Sequence, residues 1–310
     1  MQSTFQHIIS NDLEYYSYVV NRALLMCLYS EKLEEWIDTL NALEGVEGLI
    51  YTHFSPNPDG TRMFWTSFNA KKCDAIRLEV EKLRSRGELT ESEYTFLLAS
   101  LLVSVDKVAN TSCVYGAYLK KFKKSACNLF VLKPIHTTCE SEKATVNQVY
   151  NTRAEDLVQR IRLDVVYMDP PYNARQYGGN YSPLNYLAHY DETIEIKGKT
   201  GLMEDYNKSH FSSKTKVQRA FEQLIEDIQC RTIVLSYNNE GLLPFDTIKT
   251  VLRQKGDVVL YKIQYDKFRS NTRVQKKKVV EYVWIVHVCP YISSGDRMYT
   301  FRETTLANEE

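Results

Sequence analysis

The apolar positions near the start of the chain change period abruptly. A strand-like run from Gln6 to Ser10 ends in Asn11-Asp12, and then Tyr16, Val20, Ala23, Leu24 and Cys27 recur at helical spacing. That order predicts a strand feeding a helix. From about Ser30 to about Thr145 the pattern is mainly helical and irregular, strongest over Glu31 to Leu43, Ala70 to Arg84 and Glu91 to Ala109, with a loop at Ser55-Pro56-Asn57-Pro58-Asp59-Gly60. This block reads as an inserted subdomain.

Strand and helix alternate again beyond it. Thr145 to Tyr150 reads as a strand, Ala154 to Ile161 as a short helix and Val165 to Met168 as a compact apolar strand. Thr215 to Gln229 is an amphipathic helix, with Val217, Ala220, Phe221, Leu224 and Ile228 on one face. A buried strand over Arg231 to Ser236 and a crossover helix over Phe245 to Gln254 follow, and then two long strands, Val258 to Tyr265 and Val279 to Val288. Alternation predicts an α/β, doubly wound parallel sheet, and the last two strands, with no helix between them, predict one antiparallel hairpin at its edge. The expected catalytic domain is 1–29 with 146–290, the helical insert 30–145, and residues 291–310 a C-terminal tail.

Composition narrows the class without naming it. A chain of 310 residues with 44% hydrophobic and 25% charged positions is an ordinary globule, neither disordered nor coiled coil. The longest uncharged apolar stretch, Tyr94 to Val105, is too short for a membrane span, which needs about 20 residues. Seven scattered cysteines without a C-x-x-C pair, and six histidines without ligand spacing, point to a reducing cytosol and no metal site. The 39 basic and 39 acidic residues cancel, so global charge does not announce a polyanionic partner. Local charge does more. Lys120, Lys121, Lys123 and Lys124 crowd one segment, and Lys267, Arg269, Arg273, Lys276, Lys277 and Lys278 fill a window without an acid. Both suit phosphate contacts; both also suit a solvated face.

The sharpest chemistry is Asp169-Pro170-Pro171-Tyr172, directly after the apolar strand ending at Met168. Ligands of open α/β sheets bind beyond the carboxyl ends of strands. Two prolines fix φ and remove two N–H donors, leaving rigid carbonyl acceptors. A carboxylate with such a carbonyl can accept both hydrogens of an exocyclic amine, and Tyr172 offers a flat face for stacking. A bare rigid turn is the bland alternative. Asp12, ending the first strand, fits either a ribose acceptor or the N-cap of the following helix, or both.

Four stretches together, Asp169 to Tyr177, Leu235 to Gly241, Val108 to Ala117 and the basic segment before the last strand, resemble the DPPY class of adenine-specific N6 DNA methyltransferases of restriction-modification systems, over about residues 5 to 288. The resemblance implies S-adenosylmethionine as cofactor and double-stranded DNA as partner. It implies that Asp169 and the Pro170 carbonyl, with Pro171 and Tyr172, hold an adenine flipped from the duplex. It assigns Asp12 to the cofactor. Arg153 stands where the class has another acid, for which Glu155 or Asp156 substitutes one turn on. Duplex contacts are expected from Arg175, Gln176, Tyr177, Lys120, Lys121, Arg269, Arg273 and Lys276, and target recognition from the insert.

The glycine-rich cofactor loop of this class is not found before Asp12. Its strand lies centrally in the class's sheet, between the strands ending at Asp12 and Met168. Unpaired backbone groups in a buried layer cost roughly 1 to 3 kcal/mol each, so a second polypeptide, or upstream sequence, is expected to complete the sheet. The competing readings are a catalytically inactive DNA-binding or assembly subunit and a methyltransferase for another planar amide or amine. Asp rather than Asn at position 169 argues against a glutamine substrate by resemblance.

Overall fold

The computed structural model describes residues 5–137, 139, 144–266, 278–289 and 299–306. The chain folds as two compact units, one of residues 1–152 with 177–207 and the other of 153–176 with 208–310.

In the first unit β1 (Ile9–Asn11) leads into α1 (Tyr15–Met26), followed by α2 (Glu31–Ala42), α3 (Leu49–Phe54), α4 (Ser67–Ser85), α5 (Glu91–Asp106) and β2 (Gln148–Tyr150). The helix starts are written locally. Ser30 caps α2, Thr66 caps α4, and Thr90 with Glu93 forms a reciprocal capping box on α5. Helix α3 has no local cap. Asp74, buried on α4, accepts from the Gly48, Ile50 and Tyr51 amides and from the Tyr190 hydroxyl instead. Burial outweighs those four bonds and pushes its pKa up to about 6. Val19 and Ala23 of α1, with Cys27 just after it, share one core with Leu97 and Leu101 of α5 and with Phe54, Phe64, Trp65 and Tyr115. The strand and helix at the start of the chain therefore pack with the helical block expected to be an insert. The returning segment adds the helix Ser182–His189 and a two-residue hairpin, Ile196–Lys197 against Leu202–Met203.

The second unit holds α6 (Ala154–Leu157), β3 (Leu163–Met168), α7 (Val217–Asp227), β4 (Cys230–Asn238), α8 (Phe245–Lys255), β5 (Gly256–Asp266), β6 (Lys278–Val288) and β7 (Phe301–Leu306). Its sheet runs β3-β4-β6-β5-β7. Val217, Phe221 and Leu224 of α7 and Ile248 and Leu252 of α8 form its core with Ile233, Leu235, Val258, Leu260, Trp284 and Val286.

The sheet is mixed, and the expected antiparallel hairpin of β5 and β6 is present, but β6 lies inside the sheet rather than at its edge. Only β3–β4 and β5–β7 are parallel; β6 is antiparallel to both of its neighbours. The 11-residue β6 is mainly apolar and enters the middle of the sheet, displacing β5 outward. The segment read as a plain tail supplies β7, which pairs with β5 and sets Phe301 against Trp284. Strand β1 pairs with β2 in a separate two-stranded sheet. Among the described residues β3 pairs only with β4, and its Val165 and Tyr167 are 41% and 64% exposed.

Candidate active site

Strand β3 ends at Met168 and delivers Asp169, Pro170, Pro171 and Tyr172 as an extended corner. No hydrogen bond to the Asp169 carboxylate or to the Pro170 carbonyl forms among the described residues. The corner is anchored from behind. The Tyr172 carbonyl accepts from the Leu242 amide at 2.9 Å, and its half-buried ring meets Tyr237 edge-on at 6.2 Å and 84°. Tyr237 is fully buried, and its hydroxyl accepts from the Leu243 amide at 3.1 Å. Glycine is required at 241, because a Cβ there would overlap the Tyr237 ring.

Burial of the carboxyl, together with the nearby Glu281 carboxylate, raises the pKa of Asp169 although much of the residue is open to solvent. The Tyr172 hydroxyl is also shifted upward, first by burial and then by Glu281, Asp169 and Glu240. Glu281 is absent from the residues that the sequence singles out. It stands on β6 opposite Asn238 of β4, whose Nδ2 donates to Glu281 Oε1 at 3.4 Å while Asn238 Oδ1 accepts from the Glu240 amide at 3.1 Å. The available signal was a lone acid within the apolar run Val279 to Val288. Asn238 is buried at the end of β4, and the next residue, Asn239, pairs with Val280 through both its amide and its side chain. Asn238 and Asn239 thus tie β4 to β6 beside the corner.

Beyond the corner, Arg175 is exposed, with its amide bonded to Asn173 Oδ1 and its carbonyl accepting from Ser212. The Gln176 side chain accepts from the Ser209 amide at 2.7 Å and donates to the Ser209 carbonyl at 3.1 Å. Arg153 donates to the Lys208 carbonyl and Glu155 pairs with His210 Nδ1 at 3.2 Å, which leaves Asp156 as the exposed acid in the first turn of α6.

Asp12 lies in the first unit, just after β1. Its Oδ1 accepts from the Glu14 amide at 2.8 Å and its Oδ2 from the Ser17 hydroxyl at 2.6 Å. The carboxylate therefore secures the start of α1, with one lone pair left on each oxygen. Glu14 is buried, accepts from Asn185 Nδ2 at 2.6 Å, and has its pKa raised to about 7 mainly by burial. Tyr177 stacks on Tyr181 at 5.8 Å. Lys120 and Lys121 are exposed, whereas Tyr115 is core and bonds Asp106, and Tyr118 packs edge-on to Phe64. Those two aromatics therefore pack inward rather than flanking the lysines. Arg269, Arg273 and Lys276 lie outside the described residues. A groove of about 640 Å³ in the first unit, lined by Tyr15, Arg77, Glu81, Arg84, Tyr94 and His189 among others, contains none of the expected site residues.

Among the described residues no three His, Cys, Asp or Glu side chains gather as a metal site, and no helix is long and apolar enough to cross a membrane. All seven cysteines are free.

A family model described as D12 class N6 adenine-specific DNA methyltransferase matches residues 1–251. The chain is 41% identical over 271 residues to the type II methyltransferase M.NlaIII of Neisseria lactamica, covering 87% of this chain and 80% of that protein. It is 40% identical over 282 residues to the type II methyltransferase M.CviAII of Paramecium bursaria Chlorella virus 1, covering 90% and 83%. Similarity to M.FokI of Planomicrobium okeanokoites is lower, 34% over 294 residues, and covers 45% of that protein. No solved structure matches significantly.

Proposed function

This chain belongs to the D12 class of N6 adenine-specific DNA methyltransferases, and from that premise we propose that the Asp169–Tyr172 corner is where the target adenine is held and methylated. The enzyme is a type II restriction-modification methyltransferase acting on adenine in DNA. The observation that carries the site assignment is the open acceptor pair, carboxylate and proline carbonyl, at the carboxyl end of β3.

The amino group of a paired adenine is engaged in the duplex, so the base must leave the stack to reach such a corner. Asp169 and the Pro170 carbonyl each accept one amino N–H, which turns the nitrogen lone pair outward, and the Tyr172 ring stacks on the base. S-adenosylmethionine, when bound, supplies the electrophilic methyl group. The sulfonium would leave as a neutral thioether, and Asp169 takes the proton that the amino nitrogen sheds on being methylated. The remaining lone pairs of Asp12 suit the two ribose hydroxyls of that cofactor, and Asp156 takes the place of the acid missing at Arg153.

Residues 1–29 with 146–290 make up the catalytic domain in this reading, and 30–145 reads the target sequence. Lys120, Lys121, Arg175, Tyr177, Arg269, Arg273 and Lys276 contact the duplex, mainly at phosphates. Gln176 holds the loop through Ser209. A further strand, on a partner polypeptide or on another segment of the protein, pairs beside β3. The exposed Val165 and Tyr167 support that, because an apolar edge strand left open invites pairing. A cytosolic location accords with seven free cysteines.

Transfer of tritiated methyl to plasmid DNA from a non-modifying host tests the site. Incorporation is expected from the wild type and a loss on the order of 10²–10³-fold from Asp169→Ala; equal incorporation by both would overturn it. Gel filtration with native mass analysis tests the partner polypeptide, which a stable monomer binding the cofactor at micromolar strength contradicts.

A further inference from the structure

Three adjacent strands of one sheet end side by side at the corner. β3 contributes Asp169, β4 contributes Asn238, and the antiparallel β6 starts there with Glu281 opposite Asn238. The contact Asn238 Nδ2 to Glu281 Oε1 fixes that carboxylate against the middle strand. An acid at this place brings a second negative charge toward the one that receives the substrate amine.

We propose that Glu281 is a positioning residue of methyl transfer, its carboxylate strengthening Asp169 as acceptor for the target amino group and for the proton that group sheds. The inference rests on the assignment of Asp169 made above. Like charges disfavour each other's ionised form, so each proton or N–H near the pair is held more firmly. Two acids act on the corner from neighbouring elements. Glu281 on β6 acts on Asp169, while Glu281, Asp169 and Glu240, the last in the turn after β4, all act on Tyr172. On β5 the Lys262 ammonium is directed to the rings of Phe245 and Tyr282 and to Glu303 on β7. Asp169 is accordingly shifted upward, by burial first and by Glu281 next.

Glu281→Gln keeps the shape and the bond to Asn238 while removing the charge, and Glu281→Asp keeps the charge. Carboxyl carbon-13 shifts of the aspartates in the full chain, with Asp169 assigned by its loss in Asp169→Asn, give its titration midpoint without need of activity. The midpoint is expected to fall by about 0.5 pH unit or more in Glu281→Gln, as for two charges near a protein surface, and to stay near wild type in Glu281→Asp. In the methyl-transfer assay the acid limb of kcat should move to lower pH in Glu281→Gln, with a several-fold lower plateau, and Glu281→Asp should restore both. An Asp169 midpoint that does not move, or an unmoved acid limb with merely reduced thermal stability, overturns the proposal. The two failures are distinguishable: full transfer by Asp169→Ala would remove the site assignment itself, whereas an inactive Asp169→Ala with an unmoved midpoint in Glu281→Gln removes only the role of Glu281.

Discussion

Two aspartates come directly after parallel strands in this chain, one in each compact unit, and their carboxylates are used differently. Asp12, after β1, spends one oxygen on the Glu14 amide and the other on the Ser17 hydroxyl. Asp169, after β3, accepts no hydrogen bond among the described residues. The residues downstream of each acid explain the contrast. A helix begins after Asp12, and a helix start is rich in unsatisfied N–H groups. Two prolines come after Asp169, and neither has an N–H to offer. Position at a strand end is thus insufficient to make a binding carboxylate; the next residues must also leave it alone.

The contrast can be broken at its source. Pro171→Ala restores an N–H two residues after Asp169, the spacing at which the Glu14 amide reaches Asp12. If local donors decide availability, that N–H competes with the substrate amine, and kcat/KM should drop about tenfold, the loss of roughly one neutral hydrogen bond. An unchanged kcat/KM would show that the prolines act only by stiffening the corner.

Removing the other acid should have a different signature. Asp12→Ala is expected to lower stability by about 1 kcal/mol, through loss of its bonds to the Glu14 amide and the Ser17 hydroxyl, visible as an earlier midpoint in urea unfolding. The same variant should weaken cofactor binding measured by calorimetry. A loss of binding with no loss of stability would mean that the helix start does not depend on this carboxylate.

The smallest effect concerns Glu14, whose pKa is raised to about 7. A raised folded-state pKa means that the folded chain holds the proton more firmly than the unfolded one. The contribution is complete below the ordinary carboxylate range and fades as pH rises through about 7. Melting temperatures of the wild type should therefore decline across that window, and Glu14→Gln should flatten the decline. Parallel curves for the two proteins would exclude Glu14 as its source.

Local order was largely legible in the residues. Apolar spacing located α1, α2, α4, α5, α7 and α8 to within a few residues, since period and caps are properties of neighbouring positions. The helix Ser182–His189 was missed, being too short to show a period and lacking a side-chain cap. Helix α3 was missed for a related reason: its cap, Asp74, comes from α4. The diproline corner was legible because its chemistry lies in four consecutive residues.

What only the tertiary structure decided was which strands became neighbours. The alternation of strands and helices is compatible with several orders, and the choice turns on which strands meet. The long, mainly apolar β6 took the place between β4 and β5, the terminal segment covered β5, and Glu281 came to rest beside the end of β4. Side-chain period and turn chemistry are encoded over a handful of residues, so the sequence by itself determined the elements and the acceptor corner. Pairing joins residues far apart in the chain, and its energy appears only once they meet.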